Sequence, residues 1–195
     1  MGFTSEELDA FEGVSLPPLV GPGIRLLLVG INPGLQTAAV QAHFARRGNR
    51  FYPALFGAGI LDRIIDASAG FDPEDRAHII ARGVGISNLV AGATRRAHEL
   101  DTPALRAGAA ALTEQVARVR PLVVAMLGIT AYRVAFDRKK AVVGLQPESI
   151  AGAELWVLPN PSGLNAHASL ADLSSAYREA AIAAGIQVFD PPRAM

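Results

Sequence analysis

Two short loops carry the side chains best suited to chemistry. Gly30-Ile31-Asn32-Pro33-Gly34 and Asn160-Pro161-Ser162-Gly163-Leu164-Asn165 each set a neutral amide beside a proline and a glycine. An asparagine offers one acceptor and two donors without charge. A rigidly held Asn32 carbonyl can place a water, although it is too weak a base to deprotonate it strongly. That suits a bond whose transition state is dissociative and already cationic, and cleavage of an N-glycosidic bond has this oxocarbenium-like character. An unactivated bond would instead call for a carboxylate or a metal. The competing reading is that Asn32 caps the turn after it. Asn160 allows the same two readings. Its amide either donates to a leaving base, with backbone amides completing an anion-stabilising pocket, or it caps its own turn.

Leu164 is a large apolar side chain in a tight polar loop. It either folds back into the core or stands as a wedge that unstacks DNA and fills the hole left by an extruded base. Phe44 either stacks on such a base or packs in the core. His43, His78, His98 and His167 show no zinc spacing and read as surface histidines. Ser162 lacks the strand–elbow–helix setting of a nucleophile. Dinucleotide and P-loop fingerprints are absent. With no cysteine in the chain, disulfides and thiolate metal sites are excluded, which is compatible with a reducing cytoplasm.

Both loops leave short apolar runs that read as buried strands, about 24–30 and 154–158. In an open parallel sheet the ligand crevice forms where loops leave the carboxyl ends of strands. Further strands are expected over 84–90 and 121–127, with a short one over 186–189. The apolar spacing predicts helices over about 53–67, 73–82, 101–120 and 170–184, the last stopped by Gly185. Strands alternating with helices give an α/β fold with a mainly parallel sheet. One domain is expected over 1–195, with 1–20 and 190–195 peripheral, and Phe3, Leu8 and Phe11 giving the first segment partial order. The stretch from about Gly34 to Tyr52 reads as a long, basic loop of the kind that carries function.

Half of the 195 residues are hydrophobic and the formal net charge is zero. The chain is therefore globular, and a strong non-specific nucleic-acid binder is disfavoured. No run of eighteen apolar residues exists, so no membrane span is expected. The acidic start, with Glu6, Glu7, Asp9 and Glu12, does not read as a secretory signal. The basic residues cluster at Arg46, Arg47 and Arg50, at Arg95-Arg96 and at Arg138-Lys139-Lys140. Such clusters are ordinarily solvated surface; one beside the crevice would matter.

Taken together these residues resemble the mismatch-specific uracil-DNA glycosylase family, the Mug/thymine-DNA glycosylase branch of the uracil-DNA glycosylase superfamily. The likeness rests on Gly30-Ile31-Asn32-Pro33-Gly34-Leu35, on Leu158-Pro159-Asn160-Pro161-Ser162-Gly163-Leu164 and on Asn49-Arg50-Phe51. It extends more weakly through Gly85–Val90, Leu127-Gly128 and Ala131-Tyr132. The resemblance implies a single three-layer α/β/α domain that flips a damaged pyrimidine out of double-stranded DNA. It hydrolyses the glycosidic bond without cofactor, metal or strand cleavage. A cytoplasmic monomer is expected. By resemblance Asn32 positions the attacking water. Ile31 and Phe44 line the base pocket, and Asn160 lies beside base and deoxyribose. Gly163, Leu164 and Asn165 form the insertion loop, with Leu164 as the wedge, and Arg46, Arg47 and Arg50 are the basic side chains for DNA. Gly34 stands where relatives strict for uracil carry a bulky aromatic, so the pocket is expected to admit 5-substituted or enlarged bases such as ethenocytosine, and thymine weakly. Thr37 and Gln36 replace small serines and tune that position. Asn165-Ala166 departs from the Ser-Arg of well-known relatives, which loosens the expected preference for guanine opposite the lesion; His167 or the arginine cluster stands to compensate. Two other readings are a non-catalytic lesion-binding module of the same fold and a mononucleotide-binding α/β protein.

Overall fold

The computed structural model describes residues 3–163 and 168–190. Its centre is a five-stranded sheet made from β1 (Leu26–Gly30), β2 (Val84–Asn88), β3 (Val123–Leu127), β4 (Gly144–Ile150) and β5 (Ala153–Leu158), in the order β2-β1-β3-β5-β4. All neighbours are parallel except β4, which runs antiparallel to β5 at one edge. β1 and β3 are apolar at nearly every position because both faces of a central parallel strand are covered.

Alternate residues of these strands feed two cores. Leu26, Leu28, Val123, Ala125 and Leu127 pack with α3 (Phe51–Gly57), α4 (Pro73–Ala81) and α7 (Leu170–Ala183). Leu27, Val29, Val124 and Met126 pack on the other side with α5 (Thr102–Val119) and α6 (Ile129–Ala135). The result is the mainly parallel α/β sheet expected from the sequence, in the three-layer α/β/α arrangement that the resemblance implies. Register then positions the site. Gly30 pairs with Asn88, Val29 with Met126, and Leu127 with Leu158. Four strands therefore end almost level, and the chain leaves the sheet side by side at Ile31, Leu89, Gly128 and Pro159.

The expected helices over 73–82, 101–120 and 170–184 form, as do the four longer strands. Asp101 starts α5 by accepting from the backbone N–H of Ala104. The helix expected over 53–67 does not: α3 begins at Phe51 and stops at Gly57. Gly59 then takes φ +72, and a Cβ there would sit 2.1 Å from the Phe189 carbonyl oxygen. Ile60, Leu61 and Ile65 are still buried, so their spacing reported burial rather than helical continuity. The strand expected over 186–189 is also absent, and Phe189 donates its N–H to the Gly59 carbonyl instead. The stretch read as one loop from Gly34 to Tyr52 contains α2 (Leu35–Val40) and the start of α3. α1 (Ser5–Asp9), α6 and β4 were not foreseen. β4 has Pro147 in its middle and a register shift, both of which an edge strand tolerates. Part of the segment assigned to the periphery is core: Leu16 and Leu19 are buried, and Leu19 exchanges two backbone hydrogen bonds with Ile86. Positions 191–195 lie outside the described residues.

Candidate active site

A cavity of about 160 Å³ opens where these strands end. Ile31, Asn32, Gly34, Thr37, Phe44 and Asn160 all line it, so the structure gathers every residue singled out for a base pocket. No carboxylate is among the described residues lining it.

Asn32 does not cap α2, whose N-cap is Gly34. Its Nδ2 instead donates to Thr94 Oγ1 at 2.7 Å, to the Pro33 carbonyl at 3.1 Å and to the Gly92 carbonyl at 3.4 Å. Thr94 gives its single hydroxyl proton to the Arg96 carbonyl at 3.0 Å. Thr94 Oγ1 must therefore accept, which fixes the nitrogen of the Asn32 amide on that side. Oδ1 is left as the acceptor available to a ligand. The backbone N–H of Thr94 also donates to the Pro33 carbonyl at 3.2 Å, so the loop after β2 and the loop after β1 are held together. Nothing in the sequence linked Thr94 to Asn32, 62 positions away.

Asn160 lines the cavity and caps its own turn. Its Oδ1 accepts from the Ser162 N–H at 2.9 Å, a turn-capping bond, which places Nδ2 toward Gly128 and Ile31. Phe44 likewise belongs to core and cavity. Its ring stacks on Phe51 with centroids 3.9 Å apart, and its backbone is held at φ +56, an uncommon conformation for a bulky residue. A Cβ on Gly30 would lie 3.1 Å from the Phe44 ring and 2.7 Å from Asn88 Oδ1, so only glycine at that strand end lets both side chains approach.

Asn88 also lines the cavity and was missed, although it ends a strand as Gly30 does. Its partner His43 corrects the expectation of a surface histidine, being only 2% exposed. His43 Nε2 lies 3.1 Å from the Pro17 carbonyl, which can only accept, so the proton sits on Nε2 and Nδ1 is an acceptor. Asn88 Nδ2 faces that Nδ1 at 3.4 Å, and Asn88 Oδ1 is thereby turned to the cavity wall beside Gly30. Burial pushes the His43 pKa down to about 4, with the charge of Arg76 lowering it further and the Pro17 bond opposing the fall. The unfolded chain thus binds the proton more readily than the folded one. Stability is full above about pH 6.5 and falls as pH drops toward 4, by about 3 kcal/mol at most for the displacement from 6.5. Thermal melts between pH 7 and 4 are expected to show this decline, and His43→Gln to flatten it; an unchanged decline in the variant would remove His43 as its source.

The basic residues divide. Arg46 lines the cavity and a wider groove outside it, and Arg47 is exposed beside it. Arg50 turns inward: Nη1 donates to the Ala168 carbonyl at 2.6 Å and Nη2 to the Ser162 carbonyl at 3.0 Å, while its backbone N–H donates to the Pro161 carbonyl. It therefore anchors the second loop. Gly163 completes the junction, since a Cβ there would lie 2.8 Å from the Gly48 carbonyl oxygen. Leu164, Asn165 and His167 lie outside the described residues. Among the described residues no cluster of His, Asp or Glu side chains could hold a metal ion, and no helix is long and apolar enough to cross a membrane.

The fold has a solved counterpart. The solution NMR structure of a candidate uracil DNA glycosylase from Methanosarcina acetivorans superposes with a TM-score of 0.54, covering 85% of this chain and 96% of that one at 14% identity. That likeness shows the fold. The family comes from the sequence of the same layers: residues 17–184, which hold all five strands and both amide-bearing loops, match the Uracil DNA glycosylase superfamily. Membership suggests a DNA glycosylase, and the cavity at the strand ends lies within the matched region. The chain belongs to the uracil DNA glycosylase superfamily.

Proposed function

We propose that the chain, as one domain over 1–195, is a monofunctional DNA glycosylase of the mismatch-specific Mug/thymine-DNA glycosylase branch. It takes uracil and enlarged or 5-substituted pyrimidines from mismatched duplex DNA and leaves an abasic site. The observation that carries this reading is the amide of Asn32, pinned through Nδ2 and offering Oδ1 at a cavity whose described lining holds no carboxylate. Such a site places a water without strongly activating it. That is sufficient when the glycosidic bond breaks ahead of attack and the sugar is already cationic. Ile31, Thr37 and Phe44 shape the base pocket, and Asn160 lies by the base and deoxyribose. Gly163, Leu164 and Asn165 supply the insertion loop, with Leu164 filling the gap in the helix. Arg46 and Arg47 meet the backbone.

The test is abasic-site formation on duplexes carrying uracil, ethenocytosine, thymine or hypoxanthine opposite each base. Release of uracil and ethenocytosine, with thymine slower, supports the reading. Binding to such duplexes without release of any base would show a lesion-binding module instead.

A further inference from the structure

Outside the cavity the strongest unassigned feature is a rim of cations facing an acidic helix. The cavity opens into a groove of about 920 Å³ lined by Arg46, Arg95, Arg96 and His98, with no carboxylate among its lining residues. Arg95 lines both spaces, so its side chain stands between the base pocket and solvent. It rides on the loop that Thr94 ties to Pro33. Across the groove α1 contributes Leu8 to the wall. Leu8, Phe11 and Val14 pack on Leu35, Ala38 and Ala93, and Thr4 and Glu7 form a capping box that sets the start of the helix. This docking delivers Asp9 to Arg95 as an ion pair, with Ser5 Oγ accepting from Arg95 at 3.4 Å.

We propose that Arg95 and Arg96 form a phosphate-binding arm for the DNA duplex, and that Asp9 is a resident counter-ion which the DNA backbone displaces from Arg95. This rests on the glycosylase reading. An extruded nucleotide keeps its phosphodiesters on both sides, so a cation at the mouth of the base pocket meets the backbone. The Asp9–Arg95 pair is nearly half exposed on both sides, and exposed pairs of this kind are weak. A guanidinium binds phosphate through the same planar fork that binds carboxylate, so the exchange keeps the geometry. The free protein thereby presents a neutral surface where the bound protein presents a cation, which suits a chain of zero net charge.

The experiment is a double-mutant cycle on the full chain. Binding of a short undamaged duplex is measured across a salt titration for wild type, Asp9→Asn, Arg95→Ala and the double variant, with Arg96→Ala as a further arm. Excision from a uracil:guanine duplex is followed in parallel. Asp9→Asn is expected to tighten binding about fivefold at about 50 mM salt, because Arg95 no longer exchanges a resident carboxylate for phosphate. Arg95→Ala and Arg96→Ala are each expected to weaken binding and to reduce the slope by about one. In the Arg95→Ala background the gain from Asp9→Asn falls below about twofold. A neutral or weakening Asp9→Asn overturns the proposal, as does the same gain in both backgrounds, which would be general charge repulsion. Both substitutions leave the packing of Leu8 and Phe11 in place, so α1 stays docked. If wild type excises uracil and the cycle fails, the arm alone falls; if the cycle holds and no uracil is released, the glycosylase reading falls alone.

Discussion

Asn32→Ala is expected to slow uracil release from a uracil:guanine duplex by about 10²–10⁴-fold, the range for loss of a positioned proton-accepting group. The duplex should bind as before. The measurement is a single-turnover rate, because slow product release can hide a change in the chemical step. The size follows from geometry. Nδ2 has three acceptors around it, so the amide cannot flip, and Oδ1 is held at the cavity before any substrate arrives. On the glycosylase reading that is preorganisation, whose value would be realised only as positive charge develops on the sugar. The companion variant isolates it. Thr94→Val keeps the shape but removes the oxygen that accepts from Nδ2, and a loss of about tenfold in the same rate is expected for one displaced positioning contact. Thr94→Ser, which keeps the hydroxyl, should restore the rate. Unaltered turnover in Asn32→Ala would refute the water-placing role. An equal loss in the valine and serine variants of Thr94 would make that residue a packing element only.

The second large effect concerns selection. Gly34 is exposed, lines the cavity, and has nothing within 4 Å of where its Cβ would stand. Gly34→Tyr should therefore fold normally and place a ring in space that is now empty. Release of ethenocytosine is expected to fall by about 10²-fold or more, since a filled pocket rejects an enlarged base by steric exclusion. Uracil release should change far less. Competition between the two lesions in one reaction measures the ratio directly. An unchanged ratio would mean that the open side of the cavity lies elsewhere, and Thr37, buried along the same wall, would be the next position to enlarge.

The sequence made some of this legible and hid the rest for definite reasons. Continuous apolar runs such as 26–29 identify central strands because both faces are buried, and Asp101 marks a helix start because its side chain completes the first turn. The rule that ligands gather at strand ends found Asn32 and Asn160, and applied to 84–88 it would have found Asn88. Thr94 and His43 carried no such mark. Their importance lies in hydrogen bonds to residues 45 and 62 positions away, which no local spacing encodes. The anchoring bonds of Arg50 were hidden for a related reason, since a basic run reads alike whether a given guanidinium points to solvent or to a backbone carbonyl. β4 was invisible because an edge strand with an internal proline has neither the alternation nor the apolar run of a core strand.

That inward guanidinium has a consequence for how this chain can vary. Arg50 holds the carbonyls of Ser162 and Ala168, so the chain enters and leaves the stretch between them at two points fixed by a single side chain. With the ends pinned, closing the stretch carries little added entropy whatever its contents. Asn160 upstream and α7 downstream keep their places independently of it. Gly163 is held to glycine by the Gly48 carbonyl, so variation falls to the positions after it. If the glycosylase reading holds, contacts to the base opposite the lesion can be altered between these anchors while Asn32 and its cavity stay as they are.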